Sequence, residues 1–125
     1  MKFLLDTNVL IDLLNGQDYA KRLVTLLITK GPLYVSSITV AELRGGFTKK
    51  KAEFFLPQLY ELTAVLGVDR KIAELGGQFR YEYKQSITDC LIAATAIVEK
   101  CQLLTRNKKD FPMPQLKFYK IENLL

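Results

Sequence analysis

Acidic and amide side chains recur in this 125-residue chain where apolar segments begin or end. They are Asp6, Glu42, Asp89, Asn107 and Asp110. Asp6 deserves the closest scrutiny because a carboxylate that ends a buried strand is unfavourable unless it is paired or bound to a ligand. Asp89 raises the same question at the head of an apolar segment, residues 86–101.

Carboxylates that gather in one place repel each other unless one takes a proton or a divalent cation neutralises them. The chain contains no histidine and two cysteines, so oxygen ligands dominate any such site. Oxygen ligands favour Mg²⁺ or Mn²⁺ over Zn²⁺. The missing histidines also exclude Ser-His-Asp triads, histidine-based ribonuclease mechanisms and HExxH zinc helices.

Each acidic position also has a simpler explanation. Thr39 and Glu42 have the spacing of a capping box, and Asp89 could favour a helix N-terminus through the helix dipole. Asn107 and Asp110 could form a turn. Three further acids are interpreted as cap or surface residues: Asp12, Asp18 and Asp69.

Short apolar segments alternate with segments of helical periodicity, which predicts an α/β fold with a parallel sheet covered by helices on both faces. Strands are predicted at 3–5, 33–38, 63–68, 102–105 and 116–121. Helices are predicted at 8–14, 18–29, 39–47, 52–62, 69–83 and 86–101, with Asn8 near the first N-cap and Pro57 interrupting the fourth. Sites in such sheets form outside the carboxyl ends of the strands, where these acids would meet.

Length and composition predict one domain spanning 1–125, with 49% apolar and 25% charged residues. The formal charge of +5 mildly favours an anionic partner, with nucleic acid first. The N-terminal run is broken by Asp6 and Asp12, so we expect neither a signal peptide nor a membrane span, and hence a cytoplasmic location. Cys90 and Cys101 lie too far apart along one predicted helix for a disulfide.

Four segments, in order and spacing, resemble the signature segments of PIN-domain ribonucleases, above all the small VapC-type toxins of toxin–antitoxin pairs. They are LLDTNVLIDLL (4–14), SSITVAELRGG (36–46), TDCLIAATAI (88–97) and LLTRNKKDF (103–111). The resemblance covers nearly the whole chain and implies a PIN-like (Rossmann-like) sheet. The ordered set is specific, although each segment alone is short.

The resemblance implies an endoribonuclease that uses Mg²⁺ or Mn²⁺, with the metal held by Asp6, Glu42 and Asp89. Many family members carry an acid where Asn107 stands, so the fourth carboxylate is either absent or supplied by Asp110. The supporting polar residues that the resemblance implies at the site are Asn8, Thr105 and Asn107. Arg44, Arg106, Lys108 and Lys109 are candidate contacts to RNA phosphates, and the alternative for each is a solvated surface.

The resemblance further implies a homodimer that a small antitoxin silences. The apolar segment 54–62 is a candidate interface, and ordinary core is the alternative. Two rival functions stay open. One is a non-catalytic RNA-binding or partner-binding module. The weaker one is a haloacid-dehalogenase-type phosphatase, which would need a second aspartate where Asn8 stands.

Overall fold

Four parallel strands form one sheet in the computed structural model, which describes residues 1–124. The strands are β1 (Phe3–Leu5), β2 (Leu33–Ser36), β3 (Ala64–Leu66) and β4 (Gln102–Leu104), in the order β3-β2-β1-β4. Phe3 aligns with Leu33 of β2 on one side and with Gln102 of β4 on the other. The strand order therefore reverses at β1, and a crevice opens at the carboxyl ends of β1 and β4.

Six helices connect the strands. They are α1 (Thr7–Leu14), α2 (Asp18–Leu27), α3 (Ser37–Gly46), α4 (Lys49–Leu62), α5 (Arg70–Tyr83) and α6 (Ile87–Val98), followed by 3₁₀ segments at Lys108–Asp110 and Glu122–Leu124. Because parallel crossovers are right-handed, a reversal of strand order places the later helices on the opposite face of the sheet. The sheet is accordingly covered on both sides.

Alternate residues of β1 point to two separate cores. Phe3 and Leu5 belong to a core with side chains of α1, α2, α3 and α4, whereas Leu4 belongs to a second core with side chains of α5 and α6. Successive side chains of a strand face opposite sides of a sheet. The predicted parallel sheet with two covered faces is confirmed.

The predicted last strand, 116–121, is wrong. Only Phe118 pairs with the sheet, through a single parallel bridge to Leu103. Lys117 O accepts from Leu103 N, and Tyr119 N donates to Leu103 O. Leu116 and Ile121 are nevertheless buried, Leu116 in the core beside α5 and α6 and Ile121 in the other core. The segment is apolar because it covers the edge strand β4 rather than because it extends the sheet.

Pro57 does not interrupt α4, contrary to prediction, and lies inside a continuous helix. Pro57 has no N–H to donate to the Glu53 carbonyl, four residues earlier in the helix. Both residues are exposed, so water can donate to that carbonyl instead. Helix α1 begins one residue before its predicted start, and Asn8 lies in its first turn near the N-cap, Asp6, as predicted. The proposed capping box is wrong too, since Ser36 caps α3 and Thr39 lies inside the helix.

Helix α6 is largely buried, as its composition predicts, and it packs closely against α5. A methyl group at Gly76 of α5 would lie 2.6 Å from Leu91 Cδ2, so only glycine allows the two helices to approach this closely. Cys90 and Cys101 are buried free thiols. Within residues 1–124 no helix is both long and apolar enough to cross a lipid bilayer.

Candidate active site

Asp6 and Thr105 meet at the crevice where the strand order reverses. Asp6 directly follows β1 and is buried, and Thr105 directly follows β4 and is also buried. The Thr105 hydroxyl donates to Asp6 Oδ2 at 2.8 Å, and Thr7 N donates to Asp6 Oδ1 at 2.9 Å. Asp6 N also donates to Leu104 O, which extends the pairing of β1 and β4 by one residue. The carboxylate is thus held on two sides.

Glu42 reaches the same crevice from α3 through Thr7. The Thr7 hydroxyl donates to Glu42 Oε1 at 2.7 Å and lies 3.0 Å from the Thr39 hydroxyl. Glu42 is therefore fastened to α1 one residue beyond Asp6. The predicted convergence of Asp6 and Glu42 is visible in this contact.

Asp89 enters from the first turn of α6, where its backbone N donates to the Ser86 side chain at 3.2 Å. Asp110 comes from the 3₁₀ segment after β4, and the two carboxylates are close enough to interact electrostatically. Burial is the main cause that raises the pKa of Asp89, and the charge of Asp110 adds to it. Asn107 is exposed, and its carbonyl accepts from Asp110 N at 3.0 Å. The turn explanation for this pair is therefore correct, and the turn also carries Asp110 toward Asp89.

Burial raises the pKa of Asp6 from 3.8 to about 6. The hydrogen bonds from Thr105 and Thr7 lower it in part, while the charges of Asp89 and Glu42 raise it further. Desolvation and like charge both disfavour the ionised form. A perturbed carboxyl in a crevice, close to other carboxyls, is typical of functional sites.

The cluster is loose rather than a closed cage. Among the residues that the structure describes, no three side chains of the Asp, Glu or Cys type converge closely enough to enclose one ion. Mg²⁺ rarely uses an all-protein cage, and it is usually held by one or two carboxylates together with waters and substrate phosphates. A loose group of oxygen donors therefore fits Mg²⁺ better than it fits Zn²⁺.

Asn8 provides an independent sign that a ligand is expected here. Its Oδ1 is buried and has no hydrogen-bond partner within residues 1–124. An unsatisfied buried acceptor is unfavourable by about 1–3 kcal/mol. Asn8 lies in the first turn of α1, two residues after Asp6, and a donor or cation that reached its Oδ1 would satisfy it.

The candidate RNA-binding residues differ in whether their side chains already have a partner in the protein. Arg44 donates to Phe47 O at the end of α3, and Lys108 pairs with Glu122 and lies over the Phe118 ring. Lys109 is exposed, and Arg106 forms an ion pair with Asp12. Lys49 to Lys51 form the first turn of α4, where positive charge opposes the helix dipole.

Asp12 was misinterpreted as a cap or surface residue, whereas Asp69 does cap α5 and Asp18 is exposed at the start of α2. Asp12 is half-buried and accepts hydrogen bonds from both Tyr19 and Arg106. Burial, followed by the hydrogen bond to Asp12, raises the pKa of Tyr19, and the same carboxylate raises the pKa of Arg106. The only sequence signal was the spacing of Asp12 and Tyr19, which places them on successive helices.

The PIN domain family profile matches residues 3–114, most of the chain. The chain belongs to the PIN-domain family. It is 34% identical over 120 residues to ribonuclease VapC19 of Mycobacterium tuberculosis, covering 88% of this chain and 92% of that protein. The sequence resemblance is thereby confirmed, and the phosphatase alternative is left without support.

Two solved structures are similar to this PIN domain throughout. VapBC2 from Rickettsia felis, bound to a DNA fragment from its promoter, has a TM-score of 0.85 at 27% identity and covers 95% of this chain and 98% of that one. A toxin–antitoxin complex from Klebsiella pneumoniae has a TM-score of 0.76 at 34% identity and covers 91% and 94%. The predicted PIN-like α/β fold is confirmed.

Proposed function

We propose that this PIN domain is an endoribonuclease that depends on Mg²⁺ or Mn²⁺ and acts as the toxin of a toxin–antitoxin pair. The observation that carries the proposal is the buried Asp6 carboxylate, held by Thr105 at the crevice between the ends of β1 and β4 and within electrostatic reach of Glu42 and Asp89. The similarity to a ribonuclease over 88% of the chain supports RNA as the substrate. In this proposal the protein acts in the cytoplasm.

Asp6 and Asp89 are the metal ligands in this proposal, with Glu42 completing the coordination directly or through water. Asp110 is the fourth carboxylate, because it is the acid whose charge reaches Asp89, whereas Asn107 is exposed. Thr105 fixes the orientation of the Asp6 carboxylate through its hydroxyl, at 2.8 Å. Asn8, in the first turn of α1, has a buried oxygen without a partner among the described residues and is a candidate supporting residue.

A bound divalent cation would supply positive charge to a phosphoryl oxygen and would lower the pKa of a water molecule. The residues of the chain contribute position and charge. Thr7 holds Glu42 beside the crevice, where its carboxylate can orient the attacking water or receive its proton. Because the sequence contains no histidine, acid–base work at this site falls to carboxylates, lysines, tyrosines or a metal-bound water.

RNA phosphates would be bound by the basic residues around the crevice. Lys109 is exposed and follows β4 in the same loop as Asp110. Arg44 and Lys108 have neighbours that phosphate could replace, since both lie at the surface. The exposed lysines at 49–51 lie at the positive end of the α4 dipole, which is unfavourable for their charge. An anionic partner bound there would offset this repulsion.

The antitoxin would occupy the outer face of α4. Phe54 is 64% exposed and Tyr60 is 47% exposed, and each lines a shallow cavity on this helix. Lysines at 49–51 border the cavities, so the surface fits an acidic amphipathic partner better than a second copy of a chain with a charge of +5. The homodimer stays a prediction.

The test is cleavage of an RNA pool by the purified protein with Mg²⁺ or Mn²⁺. Cleavage should stop on addition of chelator and in Asp89→Asn, a change that keeps the shape of the side chain. The matched control is Asp69→Asn, because asparagine caps α5 as well as aspartate does. Cleavage that persists in Asp89→Asn contradicts the proposal. The non-catalytic alternative is supported if the wild type binds RNA without cleaving it and Asp89→Asn changes neither result.

A further inference from the structure

We propose that Asp12 and Tyr19 are positioning residues, which hold Arg106 so that the loop after β4 keeps Thr105 and Asp110 in place at the acidic site. This inference rests on the proposed function for its catalytic consequence. Its structural part is that residues 105–110 are kept in one conformation, and this part can be tested separately. We call Asp12, Tyr19 and Arg106 the clamp.

The clamp is a compact group of three side chains from three segments. Arg106 Nη1 donates to Asp12 Oδ2 at 2.9 Å, and the hydroxyl of Tyr19 donates to the same oxygen. The Arg106 guanidinium also lies over the Tyr19 ring, 5.6 Å from its centroid. Stacking on an aromatic face and ion pairing with a carboxylate are both properties of arginine that lysine shares only in part.

Burial makes the clamp stronger than an ordinary surface ion pair. Tyr19 is buried, and the Asp12 side chain is only 15% exposed, whereas that of Arg106 is 49% exposed. A carboxylate removed from water in this way needs its partners, so the loss of either one leaves it unsatisfied. The exposed pair between Lys108 and Glu122 on the other side of the same loop lacks this property.

Two consecutive residues of the loop are fastened to opposite ends of α1. Thr105 donates to Asp6, which caps the helix, and Arg106 donates to Asp12, six residues further along. Six helical residues span roughly 9 Å, so the two attachments are well separated. A peptide attached at both points cannot rotate about either one.

The attachment continues from the clamp to the fourth carboxylate. Asn107 N donates to the Thr105 hydroxyl at 3.1 Å, and Asp110 N donates to Asn107 O at 3.0 Å. Thr105 is therefore bonded both to Asp6 and to the turn that presents Asp110. Release of Arg106 would loosen this chain of bonds, while the fold, whose cores do not include Arg106, would persist.

The competing role for Arg106 is direct contact with an RNA phosphate. Of the five N–H donors of a guanidinium, Asp12 uses one, so such a contact is chemically open. The two roles differ in what they require of residue 106. Phosphate contact needs a positive charge there, whereas a clamp needs only a complementary pair at positions 12 and 106.

A charge exchange separates these roles. We expect Asp12→Arg and Arg106→Asp each to lower kcat by about tenfold, and their combination to restore most of it, because the pair is complementary again. KM for RNA should change little in all three. The role is overturned if the double variant is no better than Arg106→Asp, or if the single variants raise KM and leave kcat unchanged.

If the charge-exchange variants do not fold, a milder variant tests the same role. Asp12→Asn preserves shape and removes the charge, and we expect a severalfold fall in kcat with unchanged KM. Glu122→Gln removes the exposed pair on the same loop and should leave kcat unchanged. An Asp12→Asn protein with wild-type kcat overturns the inference.

Hydrogen exchange of the metal-free protein tests the clamp without any activity. In Asp12→Asn, peptides covering residues 105–110 should exchange faster than in the wild type, while those of α5 stay the same. Equal exchange at 105–110 overturns the clamp. If the wild type shows no metal-dependent cleavage, the proposed function fails, and this measurement still decides whether the clamp orders the loop.

Discussion

Asp6 is the residue where stability and function oppose each other. Its carboxyl is buried, and its pKa is raised to about 6, so folding favours the protonated form. The stabilisation from this proton is fully present below pH 3.8 and is lost as the pH rises through about 6. At neutral pH without metal, the ionised carboxylate therefore opposes folding.

We expect Asp6→Asn to stabilise the metal-free protein at pH 7.5 while it abolishes RNA cleavage. The gain in the free energy of unfolding should be about 1–2 kcal/mol, below the roughly 3 kcal/mol that the full pKa shift represents, because asparagine keeps only some of the hydrogen bonds. Urea unfolding with chelator at pH 7.5 and pH 4 measures it, and the gain should be smaller at pH 4.

Asp18→Asn is the control for this comparison, since Asp18 is exposed at the start of α2. Its unfolding free energy should follow that of the wild type at both pH values. An Asp6→Asn protein that is less stable than the wild type at pH 7.5 contradicts the assignment of Asp6 as a desolvated carboxylate.

Residue types and spacing predict Asp6, Glu42 and Asp89 as one group, because strand ends share an edge in a parallel sheet, and their joint role stays a prediction. The same reasoning could not find Asp12, whose partners Tyr19 and Arg106 are brought to it by the packing of α1, α2 and the loop after β4. Contacts between distant segments depend on tertiary geometry, which periodicity does not contain.

At the scale of elements, the predictions failed where tertiary packing overrides local preference. Residues 116–121 are apolar enough for a strand, yet they bury their side chains while only Phe118 pairs with the sheet. Pro57 is tolerated in α4 because its face of the helix is exposed. The major elements were predicted because burial on both faces leaves a clear apolar pattern in β1 and α6.

The contact between α5 and α6 determines where Asp89 lies, since Asp89 is two residues from Leu91. We expect Gly76→Ala to lower the free energy of unfolding by about 1–3 kcal/mol and to reduce cleavage, because the added methyl would lie 2.6 Å from Leu91 Cδ2 and 3.3 Å from its Cα. Thermal or urea unfolding and the cleavage assay measure the two effects.

The adjacent glycine is a matched control for this substitution. A methyl group at Gly77 meets no atom within 4 Å among the described residues, so Gly77→Ala should stabilise α5 by up to about 1 kcal/mol. Opposite signs for the two glycines are expected. If both substitutions stabilise the protein, the contact between α5 and α6 does not require glycine at position 76.

At the scale of the whole molecule, the acidic crevice and the apolar face of α4 are separate surfaces with separate expected partners. The crevice contains the buried carboxylate of Asp6, whereas the α4 face exposes Phe54 and Tyr60 beside lysines 49–51. Exposed apolar side chains grouped on one helix are typical of interaction sites. Substitutions on α4 should therefore separate antitoxin binding from RNA cleavage.

The resemblance to toxins of toxin–antitoxin pairs leads us to expect the antitoxin gene immediately upstream. We expect Phe54→Ser to raise the Kd for that antitoxin by at least about tenfold, measured by titration of the purified proteins. Cleavage by the isolated variant should remain, because Phe54 lies outside both cores. Tyr81→Ser on α5 is the control, since Tyr81 is 77% exposed on another helix. Equal affinity for Phe54→Ser and the wild type contradicts the α4 surface.

The pairing of β1 with β4 has a consequence for synthesis of the protein. Residues 3–5 leave the ribosome about a hundred residues before the strand beside them and the hydroxyl that holds Asp6, which are made at residues 102–105. An unfinished chain therefore contains most of the acids without the arrangement that joins them. If the site cuts RNA as proposed, a ribosome translating this message is not exposed to the assembled site until residues 102–105 have emerged.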